Sequence, residues 1–168
     1  VYPEDLSAKT RQALESLRVS VRPQSLVTDI AGDVVTVKDR ACGEEKIVAK
    51  TVLWAAGVKA SPLGKLLAEA TGVQTDRTGR VMVEADLTVP GHPELFVVGD
   101  LAHYAHHDGP PLPGVAPVAM QEGAYVAEVV RARLAHRAIP AFRYQDRGTM
   151  AVIAKNKAVA KIGNRHFS

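Results

Sequence analysis

The sequence ELFVVGD, from Glu94 to Asp100, decides the fold. Its apolar run, Leu95–Val98, is typical of a strand that is buried on both faces in an α/β protein. Gly99 and Asp100 follow at once, so we expect the Asp100 carboxylate at the carboxyl edge of a sheet, where α/β proteins bind ligands. A carboxylate there can accept hydrogen bonds from sugar-like hydroxyls. The plainer alternative is an aspartate that caps a turn.

Stretches on both sides of this strand favour an α/β fold. The run TVLWAAG, Thr51–Gly57, is continuously apolar and ends in glycine, which predicts a second buried strand with Trp54 as a core anchor. A short helix is predicted at Leu63–Ala70 and a further strand at Arg80–Glu84. The longest helical pattern covers Ala116–His136, where apolar residues recur at helical spacing.

The two ends of the chain differ from this middle part. Pro3–Leu17 has the spacing of an amphipathic helix. After it, short runs predict antiparallel strands joined by tight turns, at Val19–Arg22, Ser25–Ala31, Asp33–Asp39 and Glu45–Ala49. Phe142–Gly163 predicts three more short strands, around Gly148 and Asn156. The mixture indicates pieces of two domains, with a boundary near Lys50–Thr51.

The composition limits the classes of function. The 168 residues are 46% hydrophobic and 23% charged, as in ordinary globular proteins, and the net charge of +3 is too small to indicate nucleic-acid binding. No stretch approaches the roughly 20 apolar residues that span a bilayer. Cys42 is the only cysteine, which excludes a cysteine redox pair and favours a reducing, cytoplasmic compartment. Because the chain starts at Val1 without methionine, we expect a segment of a longer protein.

No complete phosphate-binding loop is encoded. A dinucleotide fingerprint needs two glycines separated by one residue, and none of the 13 glycines are spaced in that way. Gly109–Gly114 has the spacing of a nucleotide-binding loop, but Val115 stands where lysine is required. The three prolines between these glycines also remove amides that would bind phosphate.

The histidines near position 105 raise the question of a metal site. His103, His106 and His107 precede Asp108 at a spacing that gathers ligands on a helix. Gly109 and two prolines follow immediately, and no cysteine supports such a site. We therefore predict no metal and a solvated loop.

Three motifs in the same order resemble those of a known family. They are TVLWAAG, ELFVVGD and the helix start APVAMQ, Ala116–Gln121. Together they resemble the flavoprotein oxidoreductases with two dinucleotide-binding domains, the pyridine nucleotide-disulphide oxidoreductase family. Within that family the type II NADH dehydrogenases, which are NADH:quinone oxidoreductases, are the most similar. The likeness extends from Pro3 to Ser168 and is most specific between Thr51 and Ala127.

The resemblance assigns roles to individual residues. Gly99 and Asp100 match the turn whose aspartate binds the ribityl chain of FAD, and Ala56 with Gly57 match the turn that returns the chain to the FAD domain. Cofactor contacts are also implied for the helix start, at Ala116, Pro117, Val118 and Ala119. Gln121 matches a glutamine near the flavin and the quinone, and is the residue expected to act in catalysis. Pro117 and Glu122 depart from relatives that carry glutamine at those positions.

The resemblance also implies a domain organisation. Residues 1–50 would end an inserted NAD-binding domain with a β-meander, 51–137 would form the returning half of a Rossmann-like FAD domain, and 138–168 would begin a C-terminal domain. The fold class is therefore α/β, or α+β for the segment alone. The N-terminal part that carries both dinucleotide fingerprints is not in this sequence, so the segment by itself is expected to be inactive.

The implied activity is transfer of a hydride from NADH to FAD and of electrons onward to a membrane quinone. Such enzymes attach peripherally to the cytoplasmic side of the inner membrane through a region outside this sequence, and a homodimer is compatible with the resemblance. Two alternatives stay open: a non-catalytic folded module, and a flavin-dependent reductase of a soluble redox protein, similar to ferredoxin reductases.

Overall fold

A computed structural model describes residues 2–40, 43–106 and 109–167. The chain divides into two compact units, and the first is assembled from both ends of the sequence. It consists of Val1–Ala56 and Arg147–Ser168, whereas the second consists of the continuous stretch Gly57–Asp146.

The first unit contains a helix and two three-stranded antiparallel meanders. Helix α1, Glu4–Ser16, begins after Pro3 and carries two acidic residues in its first turn. Their negative charges stabilise the helix because they lie at the positive end of its dipole. Strands β1, β2 and β3 lie side by side in that order, and so do three strands near the end of the chain, β8, β9 and β10. The strand bounds are Ser25–Ala31, Val34–Asp39, Gly43–Val48, Thr149–Ala154, Lys157–Ile162 and Arg165–Phe167.

Two-residue turns join β1 to β2, β8 to β9 and β9 to β10. Gly32 and Asp33 join β1 to β2, and Gly32 has a φ of 60°, a conformation that glycine adopts without strain. Helix α1 packs against β8 and β9, where Leu6 and Val159 are both buried. Polar contacts tie the same elements: Lys157 Nζ donates to Ser16 Oγ at 2.6 Å.

The second unit contains two helices and four short strands. Helix α2 covers Leu63–Thr71 and ends at Gly72, whose φ of 76° allows its N–H to bond the Ala68 carbonyl. Helix α3 covers Ala116–Leu134. Strand β4 pairs in parallel with β7, and β5 pairs antiparallel with β6. The bounds of β4 to β7 are Val81–Met82, Thr88–Val89, His92–Phe96 and Ala102–His103.

Two apolar clusters form the core of the second unit. Five buried residues make the first cluster, and Leu67 and Ala68 of α2 pack against it; they are Val73, Val81, Val89, Val97 and Ala102. The second cluster contains Leu87, Tyr104 and Phe142, with Tyr125 of α3 packed against it. The Tyr104 hydroxyl donates to the Phe142 carbonyl at 2.7 Å, which satisfies a polar group inside the core.

Most of the predicted elements are confirmed. Both long helices, the short helix after Pro62, and the strands at Ser25–Ala31 and Asp33–Asp39 are present within two or three residues of the expected bounds. Of the three strands expected in Phe142–Gly163, two form on either side of Asn156, whereas the residues before Gly148 form none and a third strand, Arg165–Phe167, lies beyond the expected range. The mixed helix and sheet architecture agrees with the expected fold class.

The prediction of a buried strand at Thr51–Gly57 is wrong for this chain. Residues 51–60 form no helix or strand, and Leu53 and Trp54 are 89% and 61% exposed, so Trp54 is not a core anchor. The pattern identified an apolar segment correctly. A strand buried on both faces also needs neighbours on both sides, and no strand of the described residues pairs with this segment.

Three smaller expectations are also corrected. Val19–Arg22 forms no strand and lies between two turns, in which Arg18 and Gln24 have left-handed φ angles of 63° and 61°. The strand expected at Arg80–Glu84 is reduced to the two residues of β4. The strand before Asp100 begins earlier than expected, at His92, and ends at Phe96, and it pairs antiparallel with β5 rather than lying inside a parallel sheet.

Candidate functional site

The Gly99–Asp100 turn lies where β6 ends and a short 3₁₀ helix, Gly99–Leu101, begins. Gly99 has a φ of 68°, which places it in the left-handed region. A β-carbon there would lie 3.3 Å from the β-carbon of Ala119 on α3. Glycine therefore permits both the turn and its close approach to the helix.

The Asp100 carboxylate is exposed and lies beside the loop before α3. A β-carbon on Gly114 would come within 3.0 Å of Asp100 Oδ1, so the absence of a side chain lets this loop pass close to the carboxylate. The two residues line a cleft of about 240 Å³. Its other lining residues are Val58, Ala60, Thr78 and Arg80.

Glu122 is a functional candidate that sequence reasoning missed. Its side chain lies on the buried face of α3, only 1% exposed, and its Oε2 accepts the backbone N–H of Gly99 at 2.5 Å. Burial raises the pKa of Glu122, the Gly99 hydrogen bond lowers it, and the negative charge of Asp100 raises it further. A signal was present in the sequence, since Glu122 stands one helical turn after Val118 on the apolar side of α3.

The start of α3 offers few free backbone donors. The N–H groups of Val118 and Ala119 both bond the Val115 carbonyl, at 3.0 and 3.3 Å. Pro117 has no N–H group, which leaves Ala116 as the first-turn residue whose amide has no recorded acceptor. Contacts between a ligand and this helix end would therefore depend on Ala116 and on the small, exposed side chains beside it.

Two residues that line the cleft, Thr78 and Arg80, contact a cluster of ionisable groups. Asp76 accepts hydrogen bonds from Arg80 Nε at 2.7 Å and from the Thr78 hydroxyl at 2.7 Å, and His103 Nδ1 lies 2.9 Å from its Oδ2. Burial works against the ionised form of Asp76. The hydrogen bonds with His103, Thr78 and Arg80 outweigh that cost and hold the pKa of this carboxyl well below its usual range.

The histidines do not lie in a solvated loop as expected. His103 is half-buried beside Asp76, and His106 is half-buried with its Nε2 accepting the Tyr144 N–H at 3.1 Å. His107 and Asp108 lie outside the described residues, as does Cys42. Within residues 2–40, 43–106 and 109–167, no three acidic, histidine or cysteine side chains are grouped to hold a metal ion.

Gln121 is engaged by the backbone of a neighbouring segment. Its Nε2 donates to the Gln145 carbonyl at 3.0 Å, and its Oε1 accepts the Gln145 N–H at 3.0 Å. Both ends of the amide are thus used to hold Gln145 against α3. Gly99, Asp100 and the start of α3 come together in the second unit, whereas Ala56 closes the first stretch of the other unit and Gly57 begins the second.

Comparison with known proteins identifies the family of this chain. The pattern of the family described as pyridine nucleotide-disulphide oxidoreductase matches residues 1–123. The type II NADH:quinone oxidoreductase NdhA of Mycobacterium tuberculosis is 41% identical over 168 residues, covering 97% of this chain and 35% of the relative. A second enzyme of that organism, Ndh, is 42% identical over 167 residues with the same coverage.

Solved structures share the fold. NDH2 from Plasmodium falciparum, solved in complex with NADH, superposes with a TM-score of 0.85 at 15% identity, covering 98% of this chain and 48% of that one. The sulfide:quinone oxidoreductase of Aquifex aeolicus gives a TM-score of 0.67 at 13% identity. These likenesses concern the fold alone.

The chain belongs to the pyridine nucleotide-disulphide oxidoreductase family. Among curated proteins it is similar to type II NADH:quinone oxidoreductases from several bacteria, and it spans about a third of their length. No helix in the described part of the chain has the length and apolar character needed to cross a bilayer.

Proposed function

We propose that this chain forms part of an NADH:quinone oxidoreductase, and that its second unit contributes to an FAD site. One observation carries the proposal: the Asp100 carboxylate lines a cleft next to Gly114, in a chain 41% identical over its length to an NADH:quinone oxidoreductase. The activity belongs to the longer protein, since the chain spans 35% of that relative.

The residues around the cleft suit a flavin. Asp100 is an exposed hydrogen-bond acceptor at the end of a strand and turn, as needed to hold the hydroxyls of a ribityl chain. Gly114 lets the loop before α3 pass close to the Asp100 carboxylate, and Ala116 adds only a small, exposed side chain beside it. When bound, FAD supplies the redox chemistry, and the protein supplies position and electrostatics.

Other residues have supporting roles in this proposal. Gly99, Ala116, Pro117, Val118 and Ala119 shape the cofactor side of the site, and Ala56 with Gly57 form the turn that brings the chain back to the FAD domain. Gln121 is proposed to lie on the quinone side, where it orders the Gln145 segment through its two hydrogen bonds. Arg80 is oriented by Asp76 and keeps a positive charge beside the cleft.

The proposal includes the domain organisation and partners expected from the resemblance. Residues 1–50 would end an NAD-binding domain, 51–137 would belong to the FAD domain and 138–168 would begin a C-terminal domain. NADH and a quinone are the proposed substrates. Peripheral attachment to the cytoplasmic side of the inner membrane and a homodimer are proposed for the longer protein, and neither dinucleotide is expected to bind without its N-terminal part.

The full-length protein that carries this chain tests the proposal. Its cofactor would be released by heat and identified by chromatography and fluorescence, and NADH consumption would be followed with a short-chain quinone as acceptor. We expect bound FAD and quinone-dependent NADH oxidation. A protein without flavin, or one that reduces ferredoxin but no quinone, would contradict the proposal.

A further inference from the structure

Glu122 is a buried carboxylate whose stabilising value is not evident. A charged group that is 1% exposed loses its hydration, and replacing such a group by an apolar one of similar size is often neutral or favourable for stability. The described contact of its carboxylate is with a single backbone N–H, that of Gly99. The role of Glu122 therefore depends on the segment that its contact with Gly99 holds in place.

The contact holds the turn that carries Asp100. Gly99 is in the left-handed region, and its backbone lies so close to α3 that a β-carbon would touch Ala119. The Ala102 N–H donates to the Gly99 carbonyl, so the turn is fixed from its C-terminal side as well. Glu122 fixes the turn from the helix side, because it binds the N–H of Gly99. Gly99 directly precedes Asp100, whose carboxylate lines the cleft.

We propose that Glu122 is a positioning residue of the flavin site: by accepting the Gly99 N–H it fixes the Gly99–Asp100 turn against α3 and so presents Asp100 to the cofactor. This inference rests on the proposed function. It adds a role for a residue that touches neither the cleft nor a reacting atom, and it predicts that an uncharged acceptor suffices.

The surroundings of Glu122 agree with an acceptor role that does not need a charge. Asp100 is the acidic group that faces it from the 3₁₀ helix, and Tyr104 follows β7 nearby. Burial raises the pKa of Tyr104, and the negative charge of Glu122 raises it further. Arg143 lowers the pKa of the same Tyr104 phenol. Burial and the nearby negative charge both disfavour an ionised Glu122, whereas an amide oxygen would accept the same N–H without that cost.

Two substitutions in the full-length flavoprotein separate the roles of acceptor, charge and volume. Glu122→Gln keeps an oxygen acceptor and removes the charge, and Glu122→Met keeps the volume and removes the acceptor. We expect FAD to bind about tenfold more weakly to Glu122→Met, the change that loss of one hydrogen bond produces, and within about twofold of wild type to Glu122→Gln. The melting temperature of the FAD-free protein should not fall in Glu122→Gln, which keeps the acceptor for the Gly99 N–H.

FAD titration of the stripped proteins, followed by flavin fluorescence, gives these affinities. Wild-type affinity in Glu122→Met, or an equal loss in Glu122→Gln, would overturn the positioning role. If Glu122→Met does not fold, Glu122→Asp replaces it, because a side chain shorter by one methylene withdraws from Gly99 and should show the same loss. A wild type that binds no FAD would overturn the proposed function together with this inference, whereas unchanged affinity in the variants overturns this inference alone.

Discussion

Asp100 combines exposure with a fixed position, which suits a ligand-binding carboxylate more than a turn cap. Its backbone is set by the 3₁₀ helix, and its side chain lies beside a glycine rather than against a bulky neighbour. A carboxylate in such a place can accept hydrogen bonds from the hydroxyl groups of a ligand without first breaking an internal ion pair.

Asp100→Ala should therefore weaken FAD binding to the full-length protein more than it lowers stability. Loss of a charge-assisted hydrogen bond predicts an effect of about tenfold or more on the dissociation constant. Flavin absorbance after gel filtration measures retention, and Glu69→Ala, which removes an exposed carboxylate from α2, is the matched control. Full occupancy in Asp100→Ala would identify Asp100 as a turn residue only.

Gln121→Ala tests whether Gln121 belongs to the quinone side of the site. We expect reduction of quinone to slow more than reduction of the flavin by NADH, and the free energy of unfolding to fall by about 1 kcal/mol because the Gln145 backbone loses two partners. Stopped-flow rates of the two half-reactions and a denaturant titration measure these effects. Gln74→Ala is the control, and equal slowing of both half-reactions would refute the quinone role.

At the scale of elements, helix α2 depends on a glycine in its first turn. Gly64 is buried, and a β-carbon there would lie 2.5 Å from the Gly79 carbonyl oxygen. The helix can pack this closely onto the loop before β4 only because the side chain is absent. Alanine is the better helix former, so packing outweighs helix propensity at this position.

Gly64→Ala and Gly123→Ala should have opposite effects on stability. Gly64→Ala should lower the free energy of unfolding by about 1–3 kcal/mol, as expected for overpacking. Gly123 in α3 has open space around its missing β-carbon, so Gly123→Ala should raise the free energy of unfolding by about 0.5–1 kcal/mol. Urea titrations of the two variants check the signs, and a shift in the same direction for both would contradict this packing argument.

Asp76 joins the two strands of the parallel pair β4–β7, because it binds Arg80, just before β4, and His103 in β7. Since these contacts need the ionised carboxylate, the second unit should lose stability in acid. The pKa of Asp76 is lowered in the folded chain and ordinary, about 3.9, in the unfolded chain, so the unfolded state binds more protons at acidic pH. The stabilisation is complete above that value and is lost as the pH falls below it.

Asp76→Asn should consequently flatten the acid limb of the stability profile. Below about pH 4 the free energy of unfolding of the wild type should fall more steeply than that of the variant, whereas at neutral pH the variant should be the less stable of the two. Urea titrations over a pH series measure both, with Glu69→Gln as a control for an exposed carboxylate. Parallel profiles for wild type and Asp76→Asn would contradict this account.

Local signals account for the elements that the sequence predicted. Helix α3 and the hairpin at Gly32 follow from apolar spacing and turn residues that lie within a few positions of each other. The Asp76–His103 contact joins residues 27 positions apart and depends on the pairing of two-residue strands, which no local pattern reveals. In the sequence Glu122 was only a departure from relatives that carry glutamine. Its contact could not be predicted, because its partner is the backbone amide of Gly99, 23 positions away, and no residue type identifies such a partner.

At the scale of the whole molecule, the stretch between Lys50 and Lys59 is an accessible connection. Residues 51–59 are all exposed and form no helix or strand. The irregular stretch after α3 is different, because Phe142 is buried in the core and Gln145 is held by Gln121.

Limited trypsin digestion of the 168-residue chain should therefore cut at Lys50 or Lys59 before it cuts at Arg143. Mass spectrometry of the early fragments identifies the first site. Lys65, inside α2, is the internal control for a lysine protected by helical structure. Early cleavage at Arg143 would show that the contacts of Phe142 and Gln145 do not restrain that segment.

The packing of α1 against β8 and β9 determines the order in which parts of the chain can fold. The second unit is one continuous stretch, so its residues can pack together while a ribosome is still adding later ones. Leu6 is made before the whole second unit, yet the strands that cover it are made about 140 residues after it. Closing so long a loop carries an entropic cost, and until it closes the apolar side of α1 is open to chaperones or to other nascent chains.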